Sequence, residues 1–131
     1  MTRLLLDTSG YSAFMHGHRQ VGGKIREADG IVVTPVVLGE LRDGFRRGTW
    51  RSENERGLDD FLGSPRVRVE IIDEETADRY AEIASFLRRA GTPIPTNDIW
   101  IAASAMQHGL PILTTDSHFE RVPHVLIELH P

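Results

Sequence analysis

Helices layered on a mostly parallel sheet, an α/β fold, are what this sequence predicts, and three observations carry the prediction. Short apolar runs alternate with amphipathic stretches of helical period from one end of the chain to the other. The 131 residues are 40% apolar, enough for one proper core and one domain, taken here as 1–131. No repeat, low-complexity stretch or linker interrupts the alternation.

The elements follow in order. Arg3–Asp7 is an apolar run ending in an acid, and Thr8 and Ser9 supply capping chemistry for a helix over Gly10–His16. Gly17 closes it, and Gln20–Ala28 is a weaker helix, diluted by Gly22 and Gly23. Asp29 and Gly30 turn the chain into Ile31–Thr34, a buried strand by composition, and Pro35 suits the first turn of the next helix. There Val37, Leu38, Leu41 and Phe45 recur on one face. Trp50–Leu62 reads as another helix, stopped at Gly63–Pro65, and Val67–Ile72 alternates like a strand. Asp73 or Thr76 opens a long helix with Tyr80, Ile83, Ala84 and Leu87 inward, ending at Gly91. After the stiff Pro93–Pro95 connector, Thr96 or Asn97 caps a helix carrying Ile99, Ala102, Ala103 and Met106. His108 and Gly109 end it, Pro111–Asp116 is a strand, Ser117–Arg121 a helical turn, and Val125–Leu129 a closing strand.

Composition narrows the chemistry. Cysteine is absent, which excludes disulfides, thiolate metal sites and a cysteine nucleophile, and fits a reducing compartment. Three leucines before Asp7 do not make a signal-peptide core, and no apolar run approaches a membrane span, so the cytoplasm is the expected location. The net charge of −4 has the wrong sign for holding nucleic acid by bulk electrostatics. Fourteen of the fifteen basic residues are arginine, a bias that a GC-rich genome produces unaided. An acidic chain still binds phosphates when its negative charge is gathered around a cation. The position of the acids therefore matters more than their number.

Two strands end in aspartate, Asp7 and Asp116, and in open parallel sheets the functional crevice lies beyond the carboxyl ends of the strands. Asp98 is placed by length. A helix of about a dozen residues runs roughly 18 Å, and about five residues of strand return roughly 17 Å. Asp98 at the helix start thus lies beside Asp116 at the strand end. Glu40, about one and a half turns into its helix, borders the apolar arc and reaches over the same edge. Taken singly, Asp7 and Asp98 suit helix caps, Glu40 a solvated rim and Asp116 a turn. Taken together, four acids from four segments converge. Two like charges about 6 Å apart repel by roughly 3 kcal/mol at an effective dielectric near 20, so such a cluster is either partly protonated or holds cations. An all-oxygen set suits Mg²⁺ or Mn²⁺ and not Zn²⁺.

Four stretches, Leu4-Leu-Leu-Asp7-Thr-Ser9, Leu38-Gly-Glu40-Leu41, Thr96-Asn-Asp98-Ile-Trp-Ile-Ala-Ala103 and Leu113-Thr-Thr-Asp116-Ser-His-Phe119, resemble in order the motifs of the PIN-domain ribonucleases. Size and motif order are most similar to the VapC-type toxins of bacterial toxin–antitoxin pairs. The resemblance implies a three-layer α/β/α sandwich on a parallel five-stranded sheet and a Mg²⁺-dependent endoribonuclease. It also implies a homodimer silenced by a cognate VapB-type antitoxin. It assigns the acidic site to Asp7, Glu40, Asp98 and Asp116, with Asp7 and Asp98 the principal metal ligands and Ser9 orienting phosphate or water. In one place the chain departs from the family: Ser117, His118 and Phe119 follow Asp116 where many relatives carry a further acid, which leaves the acid set for a second ion incomplete.

Other readings compete. Aspartyl phosphoryl transfer would want a second aspartate where Ser9 stands, or a lysine late in the sheet, and the only lysine is Lys24. A non-catalytic module that binds RNA or a partner is the rival from a different class. His16 and His18 read as a solvated loop, His118 as either an acid–base group beside Asp116 or a surface residue, and Arg42, Arg46 and Arg47 as a helical strip open to phosphate. Trp50 and Trp100 read as core or interface. Trp50, Phe61 and Leu62, with the Val37–Phe45 helix, suggest an apolar groove for an antitoxin segment whose arginine reaches toward the acids.

Overall fold

A computed structural model describes residues 2–131. Five strands form one sheet in the order β3-β2-β1-β4-β5: β1 Arg3–Leu6, β2 Gly30–Val33, β3 Val67–Val69, β4 Ile112–Thr114 and β5 Ile127–Leu129. Every neighbouring pair is parallel. β1 to β3 step outward in one direction, and the chain then crosses back to lay β4 on the other side of β1. Right-handed crossovers, the rule for such units, put α1 (Thr8–Met15), α2 (Arg19–Glu27), α3 (Pro35–Arg47) and α4 (Arg51–Leu62) on one face. The reversed step puts α5 (Glu74–Ala90) and α6 (Thr96–His108) on the other, where they pack extensively on each other. The result is an α/β/α sandwich, as expected, with a sheet that is wholly parallel.

The core lies where the sequence places its apolar runs. Leu4, Leu5 and Leu6 of β1, Ile31, Val32 and Val33 of β2, and Ile112 and Leu113 of β4 are all buried, the signature of strands covered on both faces. Ile83 and Leu87 of α5 and Ile99, Ala102 and Ala103 of α6 close the second layer. Among the described residues no helix is long and apolar enough to cross a membrane.

Several boundaries differ from the sequence reading, each for a local reason. β3 stops at Val69 instead of Ile72, because its partner strand β2 ends at Val33, whose C=O accepts from Glu70 N–H. Asp7, and neither Thr8 nor Ser9, caps α1, and His18 caps α2 by accepting from Val21 N–H. α6 has Pro95 at its cap position and no side-chain cap, so neither Thr96 nor Asn97 serves there. Asp73 and Thr76 do form the reciprocal capping box of α5. Trp50 lies just before α4 and is 63% exposed, whereas Trp100 stacks on Tyr80 at 4.2 Å.

Candidate metal centre

β1 and β4 run side by side, with Leu5 opposite Ile112 and Leu6 opposite Leu113. The pairing carries on one step further, Asp7 N–H donating to Leu113 C=O, before the two chains part. Asp7 and Thr114 therefore leave the sheet together at its carboxyl edge. α1 can begin so close to β4 only because residue 10 is glycine: a Cβ there would lie 2.6 Å from Leu113 O and 2.7 Å from Leu6 Cδ1.

Asp7 is 3% exposed and held from three sides. Gly10 N–H donates to Oδ1 at 2.7 Å, the Thr114 hydroxyl donates to Oδ2 at 2.7 Å, and the Ser9 hydroxyl lies 3.0 and 2.9 Å from the two oxygens. Both hydroxyls are themselves aimed from behind, Ser9 Oγ accepting from Thr115 N–H and Thr114 Oγ1 accepting from Asp116 N–H. Their protons are thus turned toward the carboxylate. A carboxylate accepts about four hydrogen bonds, so the three donors leave Asp7 roughly one open position. Burial pushes the Asp7 carboxyl up to about 6, against the opposing pull of Thr114, Gly10 and Ser9, and the nearby charge of Asp98 adds to the rise.

Asp98 lies in the first turn of α6, as the length argument places it. Its carboxyl is also raised, chiefly by burial; His118 pulls it down, while the charges of Asp116 and Glu40 push it further up. Those mutual effects are the electrostatic mark of a shared edge. Asp116 follows β4 and caps the 3₁₀ turn Ser117–Arg121 by accepting from His118 N–H at 2.9 Å. Glu40 projects from α3 and accepts from the Thr8 hydroxyl at 2.7 Å, which ties it to the residue after Asp7. Asp98 and Asp116 thus meet directly, while Asp7 and Glu40 stand further along the same edge, tied to it through Thr114 and Thr8.

His118 joins them. Its Nδ1 lies 3.0 Å from Asp98 Oδ2 and 3.1 Å from Asp116 Oδ2, bridging α6 to the end of β4. Asp98, Asp116 and His118 each offer a ligand atom, and the three atoms lie within 4.8 Å of one another. The cluster is therefore not the all-oxygen set expected, because the 3₁₀ turn carries the imidazole back over Asp98. Thr8 and Thr114 are further participants that sequence reasoning passed over. Thr114 had a signal, a hydroxyl on an otherwise apolar strand two residues before Asp116, that was legible only as β propensity.

Other expectations change here. Arg42 is committed to Glu55 and to Asp59 at 3.4 Å, clamping α3 to α4, and Arg47 pairs with Asp43 at 3.2 Å, so the arginine strip is largely neutralised within the protein. Phe61 packs edge-on against Tyr11 at 5.1 Å and Leu62 packs on the core, so each presents only part of its apolar surface. Trp50 does, beside a groove of about 260 Å³ lined by Tyr11, Met15, His16, Phe45 and Glu53 among others.

Comparison with known proteins agrees with this architecture. The PIN-domain family model matches residues 4–125. Ribonuclease VapC4 of Mycobacterium tuberculosis is 38% identical over 93 residues, 71% of this chain and 72% of that one. The structure of VapBC2 from Rickettsia felis bound to a promoter DNA fragment superposes with a TM-score of 0.88 at 22% identity, over 99% of this chain and 100% of that chain. DNA-bound VapBC from Salmonella typhimurium superposes with a TM-score of 0.86 at 25% identity, over 98% of both chains. With nearly its whole length matched in sequence and in fold, this chain belongs to the PIN-domain family.

Proposed function

We propose that the chain, as one nuclease domain over residues 1–131, is a metal-dependent endoribonuclease acting as the toxin of a toxin–antitoxin pair in the cytoplasm. The observation that carries this reading is the line of acids along one sheet edge, Asp98 and Asp116 meeting at His118, with Asp7 tied in through Thr114 and Glu40 through Thr8. The kinship with a ribonuclease of 38% identity supports the substrate class.

The four carboxylates fit a hard divalent cation, Mg²⁺ or Mn²⁺. Asp7 keeps one position open after its three donors are counted, and Asp98 and Asp116 already direct oxygens toward a common point. Asp7 and Asp98 are assigned as the principal ligands, with Asp116 and Glu40 completing the site. When bound, such a cation lowers the pKa of water and offsets charge on a phosphodiester. The protein's own share is orientation. Thr114, Gly10 and Ser9 fix the Asp7 carboxylate, Thr8 holds Glu40 at the crevice, and Ser9, its proton turned to Asp7, is assigned to orient water through its remaining lone pair. One imidazole tied between two carboxylates does not make the pair of histidines that attack by the RNA 2′-hydroxyl would use. Water is therefore the nucleophile, the 3′-oxygen leaves, and fragments carry 5′-phosphate and 3′-hydroxyl ends.

The partner is assigned from kinship with chains solved in VapBC complexes. The Trp50 groove is assigned to an antitoxin segment, because Trp50, 63% exposed, stands beside a partly apolar cleft. A homodimer is the assembly the family implies. The test is cleavage of cellular RNA by purified protein and by Asp98→Asn. The wild type should cleave with Mg²⁺ and the variant, still folded, should not. Equal cleavage by both, with Asp7→Asn equally harmless, would remove the metal site from the account. A rival module that binds RNA without turnover would give stoichiometric binding and no multiple turnover.

A further inference from the structure

The imidazole of His118 is the one side chain at this edge that a Mg²⁺ site does not call for. Its surroundings are unusual in a definite way. A single nitrogen, Nδ1, is shared between Asp98 Oδ2 at 3.0 Å and Asp116 Oδ2 at 3.1 Å. An imidazole carries one proton on that nitrogen and satisfies one such acceptor well, so two carboxylates compete for it. Adjacent corners of an octahedron with bonds of about 2.1 Å are separated by about 3 Å, which is the spacing Nδ1 already has to each of the two carboxylate oxygens, and all three atoms lie within 4.8 Å of one another. His118 reaches this position because Asp116 caps the turn through His118 N–H, which fixes the backbone from which the ring projects. The second ring nitrogen is free to carry the proton, so a neutral ring changes tautomer and offers Nδ1 as a ligand without any net loss of protons.

From this arrangement we infer that His118 is a metal ligand, completing with Asp98 and Asp116 a nitrogen-containing site that selects the later first-row dications, such as Co²⁺, over Mg²⁺. Imidazole favours the later first-row metals, whereas carboxylate and water favour Mg²⁺ and Mn²⁺. The site is distinct in character from the all-oxygen surroundings of Asp7, whose donors are hydroxyls and a backbone amide. The inference rests on the metal-centre reading above and adds to it which ion the chain prefers.

The experiment is calorimetric titration of the purified full chain with Co²⁺ and with Mg²⁺, alongside the visible absorption of bound Co²⁺. Wild type, His118→Phe, His118→Asp and Asp98→Asn are compared. Phenylalanine keeps a planar ring and removes the donor; aspartate replaces nitrogen with oxygen. The expected result is Co²⁺ binding at least tenfold weaker in His118→Phe with an altered absorption band, and Mg²⁺ binding changed by less than twofold. His118→Asp should shift the preference toward Mg²⁺. Unchanged Co²⁺ affinity and spectrum in both His118 variants, with binding still lost in Asp98→Asn, would overturn the role of His118 and leave the metal centre standing. Wild type binding neither ion, or Asp98→Asn binding both as well as wild type, would overturn the metal centre and this inference with it.

Discussion

Asp7 shows how a buried carboxylate is poised by what surrounds it. Its charged form is penalised by burial and only partly restored by Thr114, Gly10 and Ser9, so its pKa stands at about 6 against 3.8. A carboxyl whose folded pKa is raised binds more protons in the folded state than in the unfolded one. Stability therefore falls as pH rises from about 4 to about 6 and levels off above, by about 3 kcal/mol for a rise of about two units. Metal-free protein followed by denaturant unfolding should show this slope, and Asp7→Asn should flatten it. Asp98 is raised in the same direction, so Asp98→Asn should leave thermal stability without metal equal to wild type or higher, read as Tm in EDTA. Thr114→Val removes the hydroxyl that serves Asp7, Ser9 and the Asp116 amide at once. A loss of about 1–3 kcal/mol is expected, together with weaker metal binding, checked by chemical denaturation and calorimetry.

The elements place these residues, and α1 is the most demanding of them. Gly10 lets its first turn lie against the β4 backbone, where any Cβ collides with Leu113 O. Gly10→Ala should cost about 1–3 kcal/mol through overpacking and should lower activity further by moving Asp7; a denaturation midpoint and an RNA cleavage rate measure the two separately. Much of this scaffold was legible in the chain. Apolar runs and periodicity, with capping and turn residues between them, located the strands and helices, and the match between the length of α6 and the return along β4 brought Asp98 to Asp116. What escaped were contacts between segments distant in sequence. Capping propensity favours Thr, Ser and Asp alike, so only the packing of α1 on β4 shows that Asp7 is the cap. Arg42 looked open to phosphate because Glu55 and Asp59 belong to the next helix. His118 stayed open between an acid–base group beside Asp116 and a packing or surface residue, because the 3₁₀ turn that returns its ring to Asp98 leaves no periodic trace.

For the whole molecule, the fold sets the acid-lined edge apart from the groove. The wholly parallel sheet gathers the acids at its carboxyl edge, while the groove beside Trp50 lies between α1, α3 and the start of α4. Trp50→Ala should therefore weaken antitoxin binding at least tenfold, measured by calorimetry, with little change in the rate of RNA cleavage. A harmless outcome on expression in growing bacteria, with no binding by a neighbouring-gene product, would contradict the toxin reading even if nuclease activity stood. The chemistry is decided by the ends of the cut RNA. Incubating purified protein with cellular RNA and Mg²⁺, with a parallel sample in excess EDTA, and mapping both termini of each fragment is the deciding measurement. The four-acid site predicts 5′-phosphate and 3′-hydroxyl ends that vanish in EDTA; 2′,3′-cyclic phosphate ends, or undiminished cleavage in EDTA, would contradict it.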